Sequence, residues 1–256
     1  MKLTKFSAWD FLLKLLLLEC ATGILVSRRF SKIRGSFVEH HYCDLATPQV
    51  PTSTKFLGLR GACSLMCQNT ADCRFFCLLE SKGTCSLFSA YVAVRWQGHP
   101  PSPSGTAFDA CYTSWGDPRD VVKTTSPFNY SSVYPGASTS FVHAIDGYAC
   151  EEPGNRFVTI PGANCSSQID LEQITRVQTV ILATANGDYI EDMDVFLGNT
   201  TDFTLGQKIG RVDGRLPAWS TYTINTNTSV AGRYITFFMA LPRYHGYAEV
   251  QVIPLP

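Results

Sequence analysis

The chain has 256 residues, of which 21 are basic, 21 are acidic and 10 are cysteine. Charges of one sign do not form long runs, which excludes the basic tracts typical of nucleic-acid binding or of attraction to an anionic membrane. The length predicts one or two domains, each large enough to bury a core.

The first 23 residues have the features of a secretory signal peptide. Two lysines precede an apolar stretch at residues 11–18, and the small residues Ala21 and Gly23 follow it. A membrane anchor is the alternative, but the stretch is shorter than the ~20 apolar residues that a span needs. We therefore expect residues 1–23 to be removed, and the mature chain to be secreted, extracellular and without a membrane span.

Cysteines are concentrated directly after this leader. Seven of the ten lie within residues 43–111: Cys43, Cys63, Cys67, Cys73, Cys77, Cys85 and Cys111. Cysteine usage this dense is typical of an oxidising compartment, where the residues form disulfides.

A helix followed by a hairpin is predicted in this block. Cys63 and Cys67 are four residues apart, which places both on one face of a helix. Apolar runs follow from Cys73 and from Cys85, separated by a turn at residues 81–84. The sequence therefore predicts a helix that disulfides fasten to a β-hairpin.

Residues 40–112 resemble a PAN/Apple domain. The resemblance depends on C-x3-C-x5-C-x-F, which begins at Cys63 and ends at Phe75, and on C-S-L-F at Cys85. Such domains bind proteins or carbohydrates, so the resemblance implies a recognition module.

The PAN/Apple resemblance also implies a nested disulfide pairing. Its three pairs are Cys63 with Cys85, Cys67 with Cys73, and Cys43 with Cys111. Loss of Cys20 with the leader reduces the ten cysteines to nine, and Cys77 is surplus to the implied pattern. Cys77 is then a buried thiol, a free one, or a bond to another chain.

The second block alternates short β-like runs with turn residues. The runs are 176–184, 192–198, 219–224, 233–240 and 248–253. Asn186-Gly187 and Asp213-Gly214 are among the turn signals between them. Regular strand spacing without helical periodicity favours an all-β sandwich or jelly roll.

Residues 126–256 resemble the discoidin, or coagulation factor 5/8 type C, fold and within it the fucolectin-like branch. The resemblance depends on five short signatures in order: Ala144-Ile-Asp-Gly147, Ile169-Asp-Leu171, Asp194-Val-Phe-Leu-Gly198, Gly232-Arg-Tyr-Ile-Thr-Phe237 and Ala248-Glu-Val-Gln-Val252. We therefore predict a mainly β protein, with a small disulfide-rich α+β domain at 40–112, a linker at 113–125 and an all-β jelly-roll sandwich, galactose-binding-like, at 126–256.

The fucolectin resemblance implies a structural calcium site at Asp146 and Glu249. A hard cation needs several oxygen ligands, and a sandwich can bring a loop and a distant strand together. The alternative is that Asp146 only forms a turn and that Glu249 is a solvated strand residue.

The sugar site of the resembling family corresponds to the loop at residues 186–192. This loop lacks the arginines and adjacent cysteines that hold fucose in that family, but Asp188, Tyr189 and Asp192 offer an aromatic ring and two carboxylates. They are the candidate ligand-binding residues. An ordinary polar turn is the alternative.

The second block also contains two cysteines and four glycosylation sequons. Cys150 and Cys165 are predicted to form a disulfide with each other. The alternative is a disulfide from either of them to Cys77. The sequons begin at Asn129, Asn164, Asn199 and Asn227.

Motifs of catalysis are absent from the sequence, because the five histidines are scattered and lack a recognisable nucleophile or metal pattern. We predict a secreted, non-enzymatic glycoprotein with lectin-like binding of carbohydrate or of cell-surface and matrix ligands. The alternative is an extracellular protein-interaction or matrix protein without sugar binding. Both hypotheses are compatible with an oligomer.

Overall fold

A computed structural model describes residues 28–33, 37–38, 43–50, 58–98, 107–136, 139–151, 156–185, 189–226 and 230–256. The predicted signal peptide at 1–23 lies outside these ranges. The fold is mainly β and built from antiparallel sheets, which confirms the predicted fold class. Within the described ranges, no helix is long and apolar enough to cross a membrane.

The N-terminal part is a helix packed on a small sheet. Its elements are β1 (Ser31–Lys32), β2 (Phe37–Val38), β3 (Asp44–Ala46), α1 (Gly58–Asn69), β4 (Phe75–Leu79), β5 (Thr84–Phe88), β6 (Tyr91–Val92), β7 (Ala107–Phe108) and β8 (Ala110–Thr113). The sheet has the order β1-β8-β4-β5-β3, and β2 pairs with β7. Helix α1 buries Ala62, Cys63 and Cys67, because residues four apart share a helix face.

Two disulfides fasten α1 to the sheet as the PAN/Apple resemblance implied. Cys63 pairs with Cys85 of β5, and Cys67 pairs with Cys73 just before β4. The spacing of four residues therefore places both bonds on the face of α1 that packs on the hairpin.

The predicted pair between Cys43 and Cys111 is wrong. Cys111 lies in β8 directly opposite Cys77 of β4, and their Cα atoms are 4.0 Å apart in a disulfide. Cys43 immediately precedes β3, which is separated from β8 by two strands. At ~4.8 Å between neighbouring strands, this separation exceeds the reach of a disulfide.

The predicted pair between Cys150 and Cys165 is also wrong. Cys150 bonds to Cys43, across 107 residues of chain. Cys165 is a buried free thiol whose Sγ lies 3.0 Å from the carbonyl oxygen of Gly162. A disulfide between the two parts of the chain was left open as a possibility with Cys77 as one partner. Such a disulfide is present, but its N-terminal partner is Cys43.

The C-terminal part is a β-sandwich. Its strands are β9 (Phe128–Tyr130), β10 (Tyr148–Ala149), β11 (Phe157–Val158), β12 (Cys165–Ala183), β13 (Glu191–Gly198), β14 (Gln207–Arg215), β15 (Thr221–Asn225), β16 (Ala231–Met239), β17 (Gly246–Tyr247) and β18 (Glu249–Pro254). Short 3₁₀ helices cover Phe141–Ala144 and Phe203–Leu205.

β12 is 19 residues long and joins the two sheets of the sandwich. Its first half pairs with β9 and β16, which continues to β13 and β14. Its second half pairs with β15 and β18. A bulge between Asp170 and Thr175 separates the halves, and Glu172 there has a positive φ of 63°. Ile169, Val195 and Val250 are among the residues that fill the core.

The two parts of the chain share a ladder and a packed interface. β6 of the N-terminal part pairs with β10 of the sandwich, Val92 opposite Tyr148. The rings of Trp96 and Tyr148 stack with centroids 4.9 Å apart. The predicted linker at 113–125 is packed on the sandwich, since Val121 donates its backbone N–H to the carbonyl oxygen of Val252 at 3.0 Å.

Candidate functional site

Glu249, one of the two expected calcium ligands, is fully buried on β18. Its Oε1 accepts hydrogen bonds from the Arg95 guanidinium and from its neighbour Val250 N–H, the latter at 2.7 Å. Its Oε2 accepts from the Gly147 N–H. The carboxylate is therefore paired with a cationic side chain from the N-terminal part.

Asp146, the other expected calcium ligand, forms the turn before β10. Its Oδ1 accepts from the Tyr148 N–H at 2.8 Å, and its Oδ2 lies 3.2 Å from His143 Nδ1. These contacts match the turn-forming role that the sequence left as the alternative.

The Arg95 guanidinium lies where carboxylates and carbonyl oxygens converge. Its Nε donates to the Ile145 carbonyl oxygen at 2.9 Å, and its two terminal nitrogens donate to Asp120, to Glu249 and to the Val250 carbonyl oxygen. The side chains of Arg95, Asp120 and Glu249 are 9%, 4% and 0% exposed. We call these three side chains with the two carbonyl oxygens the Arg95 site.

Burial governs the electrostatics of the Arg95 site. Loss of solvent raises the pKa of the Glu249 carboxyl well above its usual range, and it also raises the pKa of Asp120. The Arg95 guanidinium opposes both rises. Backbone N–H groups of Val122 and Val252 donate to Asp120 Oδ1 and hold that carboxylate in place.

The residues present do not fit a calcium ion between Asp146 and Glu249. Calcium takes six to eight oxygen ligands, whereas the Glu249 oxygens are already occupied by N–H donors of Arg95, Gly147 and Val250. Across the residues that the structure describes, no cluster of three or more histidine, cysteine or acidic side chains could hold a metal ion.

Two of the candidate sugar-binding residues, Asp192 and Tyr189, lie in different surroundings. Asp188 lies outside the described residues. Asp192, at a positive φ of 52°, accepts from Arg211 and from the Gly214 N–H, both at 3.1 Å, so it fixes the β13–β14 hairpin. Tyr189 lies elsewhere, among other aromatic rings.

Tyr189 belongs to a row of three tyrosines at one end of the sandwich. The ring centroid of Tyr244 lies 5.6 Å from that of Tyr189 and 5.7 Å from that of Tyr134, both in edge-to-face geometry. The Arg156 guanidinium lies over the Tyr189 ring, 5.6 Å from its centroid. Tyr134 is 40% exposed, and Tyr189 and Tyr244 are half-buried. We call Tyr134, Tyr189, Tyr244 and Arg156 the tyrosine cluster.

Each tyrosine of the tyrosine cluster is placed by a buried neighbour or a backbone bond. Tyr189 and Tyr244 each precede a buried residue, Ile190 and His245. The Tyr134 N–H donates to the Val158 carbonyl oxygen at 2.8 Å. The side chains therefore project from anchored backbone rather than from unsupported loops.

An ion pair joins the two chain segments that carry Tyr189 and Tyr244. Arg243 donates from Nη1 to Glu191 Oε2, and these two residues stand one and two positions from Tyr244 and Tyr189 in the sequence. The Arg243 side chain is 51% exposed. The segments that supply the aromatic rings therefore also supply charged hydrogen-bonding groups.

A cleft lies at the junction of the two parts of the chain. It has a volume of about 240 Å³, and the Cys43–Cys150 disulfide, Arg74, Tyr91 and Trp219 line it. Tyr91 donates from its hydroxyl to the Trp219 carbonyl oxygen at 2.7 Å. Trp219 and Tyr189 pack against one apolar cluster that contains Ala185 and Ala248.

Of the tyrosine cluster, only Tyr189 is among the binding residues predicted from the sequence. Tyr134, Arg156 and Tyr244 come from three separate segments, and only the folded sandwich brings them to Tyr189. Arg95 was missed as well, although it carried a signal: it is the one charged side chain in the apolar run at residues 90–96.

A serine and histidine pair lies inside the sandwich. Ser167 Oγ is 2.9 Å from His245 Nε2 and 3.1 Å from the Tyr247 hydroxyl. All three side chains are at most 1% exposed, so a substrate has no access to them. This network satisfies polar groups in the core.

Three of the predicted sequon asparagines are described, and all three are exposed: Asn129 on β9, Asn164 before β12 and Asn199 after β13. Asn227 lies outside the described residues.

No protein-family model and no curated protein matches the chain. Among solved structures, it is similar to a fucolectin from the serum of striped bass, Morone saxatilis, with 20% identity over 53% of this chain and 48% of that chain, at a TM-score of 0.48. It is similar to the lectin domain of lectinolysin in complex with Lewis B antigen, with 18% identity over 55% and 99% of the two chains, at 0.44. A fucose-binding module of Streptococcus pneumoniae has 14% identity over 54% and 98%, at 0.43. The chain spans about half the length of the striped bass protein.

Proposed function

We propose that this protein is a secreted, non-enzymatic recognition protein that binds carbohydrate at the tyrosine cluster. The observation that carries the proposal is the row of partly exposed rings of Tyr134, Tyr189 and Tyr244 at the loop end of the sandwich, with the Arg156 guanidinium over one of them. Aromatic rings combine a flat apolar face with a polar edge, and they dominate small-molecule and interface sites.

The chemistry of the cluster suits a sugar ring. The carbon-bound hydrogens of a pyranose can lie on a tyrosine ring, while its hydroxyls exchange hydrogen bonds with arginine, carboxylate and phenol groups. Arg156 supplies such a group over the Tyr189 ring, and Arg243 and Glu191 supply others from the segments that carry Tyr244 and Tyr189. This arrangement differs from recognition by adjacent cysteines, which the sequence at 186–192 lacks.

Three observations support an extracellular setting for this function. Four disulfides cross-link the chain. The sequon asparagines 129, 164 and 199 are exposed, as glycan attachment requires. The N-terminal residues also have the charge and apolar pattern of a cleaved leader.

A glycan-array screen of the secreted protein tests the proposal. We expect binding to a defined set of glycans, and we expect Tyr189→Ala and Tyr244→Ala each to weaken that binding about tenfold or more, which corresponds to about 1.4 kcal/mol of lost contact. Tyr234→Ala is the matched control, because Tyr234 is a half-buried tyrosine on β16 outside the cluster.

The control variant should bind as the wild type does, and thermal unfolding should show that all three variants are folded. Absence of glycan binding in the wild type would contradict the proposal and favour a protein ligand. Equal losses in Tyr234→Ala and Tyr189→Ala would place the site elsewhere.

A further inference from the structure

The hydrogen-bond acceptors around the Arg95 guanidinium are all oxygen atoms. Two carboxylates, from Asp120 and Glu249, and two carbonyl oxygens, from Ile145 and Val250, accept from the one guanidinium. Carboxylate and carbonyl oxygens are also the ligands that hard divalent cations prefer. An arginine fills such a site with directional N–H donors and a fixed positive charge.

We propose that the Arg95 guanidinium is a built-in cation, which holds the oxygen ligands of this site together so that the sandwich is stable without a bound divalent metal ion. This inference goes beyond carbohydrate recognition and does not depend on it. It follows from the position of Arg95, whose contacts reach the turn before β10, the residues before β9 and strand β18.

The charge balance shows why a cation is needed there. The side chains of Asp120 and Glu249 are at most 4% exposed, so their ionised forms lose the stabilisation of water and need a nearby positive charge instead. Loss of one partner from a buried ion pair leaves an uncompensated charge and is strongly destabilising. Arg95 is the cation in direct contact with both carboxylates.

The cation is supplied by the N-terminal part of the chain. Arg95 follows β6, the strand that pairs with β10, while Glu249 and Val250 belong to the last strand of the sandwich. The N-terminal part therefore completes the polar interior of the sandwich. Without the N-terminal part, the buried carboxylates of Asp120 and Glu249 would lose the guanidinium that pairs with both of them.

Solvent can approach this site from one side. Arg95 and Asp120 border a cavity of about 520 Å³ that Lys32 and Asp117 also line. A small cation has room to reach Asp120 by this route once the guanidinium is absent. The structure therefore predicts that a variant without the Arg95 head group gains a response to calcium.

The test is thermal unfolding of the full chain with a chelator and with millimolar calcium chloride. The wild type should unfold at the same temperature in both. Arg95→Ala should unfold about 10 °C lower in chelator, and calcium should recover part of that loss. Arg119→Ala is the matched control, because its exposed arginine pairs only with Asp117 among the acidic side chains near it.

A double variant, Arg95→Ala with Asp120→Asn, separates charge from packing, because Asp120 accepts its backbone N–H bonds through Oδ1 and uses Oδ2 for Arg95. It should unfold at a higher temperature in chelator than Arg95→Ala, and calcium should stabilise it less than it stabilises Arg95→Ala. If Arg95→Ala does not fold, the double variant is compared with the wild type instead. Stabilisation of the wild type by calcium, or an Arg95→Ala variant as stable as the wild type in chelator, would overturn the proposal.

Discussion

His245 lies entirely within the sandwich, between β16 and β17. Burial lowers its pKa to about 3, so the folded protein keeps the imidazole neutral. Its Nε2 is 2.9 Å from Ser167 Oγ, and its Nδ1 has no hydrogen-bond partner among the described residues. A proton on this ring would have to be accommodated without a counter-charge.

This burial predicts acid sensitivity. An unfolded histidine has a pKa of about 6.5, so below that pH the unfolded state takes up a proton that the folded state refuses. The contribution of His245 to stability is therefore complete above about pH 6.5 and falls as the pH drops toward 3, by up to about 1.4 kcal/mol per pH unit. Urea unfolding of the wild type and of His245→Gln between about pH 6.5 and pH 5 isolates this contribution as the difference between the two slopes.

Relative to the wild type, His245→Gln should lose the part of the slope that makes stability fall with falling pH, because glutamine does not titrate. The matched control is His143→Gln, whose side chain is 19% exposed beside Asp146. It should keep the wild-type slope. Equal slopes in the wild type and in His245→Gln would contradict the buried neutral histidine.

Individual residues also show where sequence reasoning works. Cys63 and Cys67 could be placed on one helix face because helical spacing is local. The disulfide partner of Cys77 could not be predicted in this way. It depends on β8 lying next to β4, and strand order is not a local property of the sequence. Glu249 was expected to be a calcium ligand or a solvated strand residue, but it is fully buried and faces a cationic side chain from a residue 154 positions away.

At the level of elements, the short ladder between β6 and β10 determines how the two parts meet. The Ala93 N–H donates to the Gly147 carbonyl oxygen at 2.8 Å, next to the ladder. Gly147 has a φ of +90°, and a Cβ added there would lie 2.9 Å from the Trp96 backbone nitrogen. Both features require glycine at this turn.

Gly147→Ala should therefore lower the free energy of unfolding by about 2 kcal/mol or more, through backbone strain together with a clash at Trp96. Chemical denaturation measures the loss. Gly83→Ala is the matched control, since Gly83 has a φ of +61° but open space around its missing side chain. Its cost should be only the backbone strain, about 1 kcal/mol. Equal losses in the two variants would contradict a close contact at the interface.

Elements with a clear periodicity were predicted, and elements without one were not. The runs at 192–198 and 248–253 correspond to β13 (Glu191–Gly198) and β18 (Glu249–Pro254). β12 begins at Cys165, eleven residues before its predicted run, because the bulge after Asp170 interrupts the alternation. β14 was missed, since its burial pattern has only Ile209 and Val212 inside.

At the scale of the whole molecule, several contacts among the described residues join the N-terminal part and the sandwich. They include the Cys43–Cys150 disulfide, the β6–β10 ladder, the stacked Trp96 and Tyr148 rings and the Arg95 ion pair with Glu249. Sequence analysis separated the two parts by composition and placed a linker at 113–125. It could not show that this segment carries Asp120 into the shared interior.

The central claim is that the two parts form one joined unit. Peptide mapping of the unreduced protein by mass spectrometry tests it most directly. We predict a peptide pair linked through Cys43 and Cys150, a second pair linked through Cys77 and Cys111, and a free thiol on Cys165. A map that instead links Cys43 to Cys111 and Cys150 to Cys165 would contradict the account, because each part would then be cross-linked only within itself.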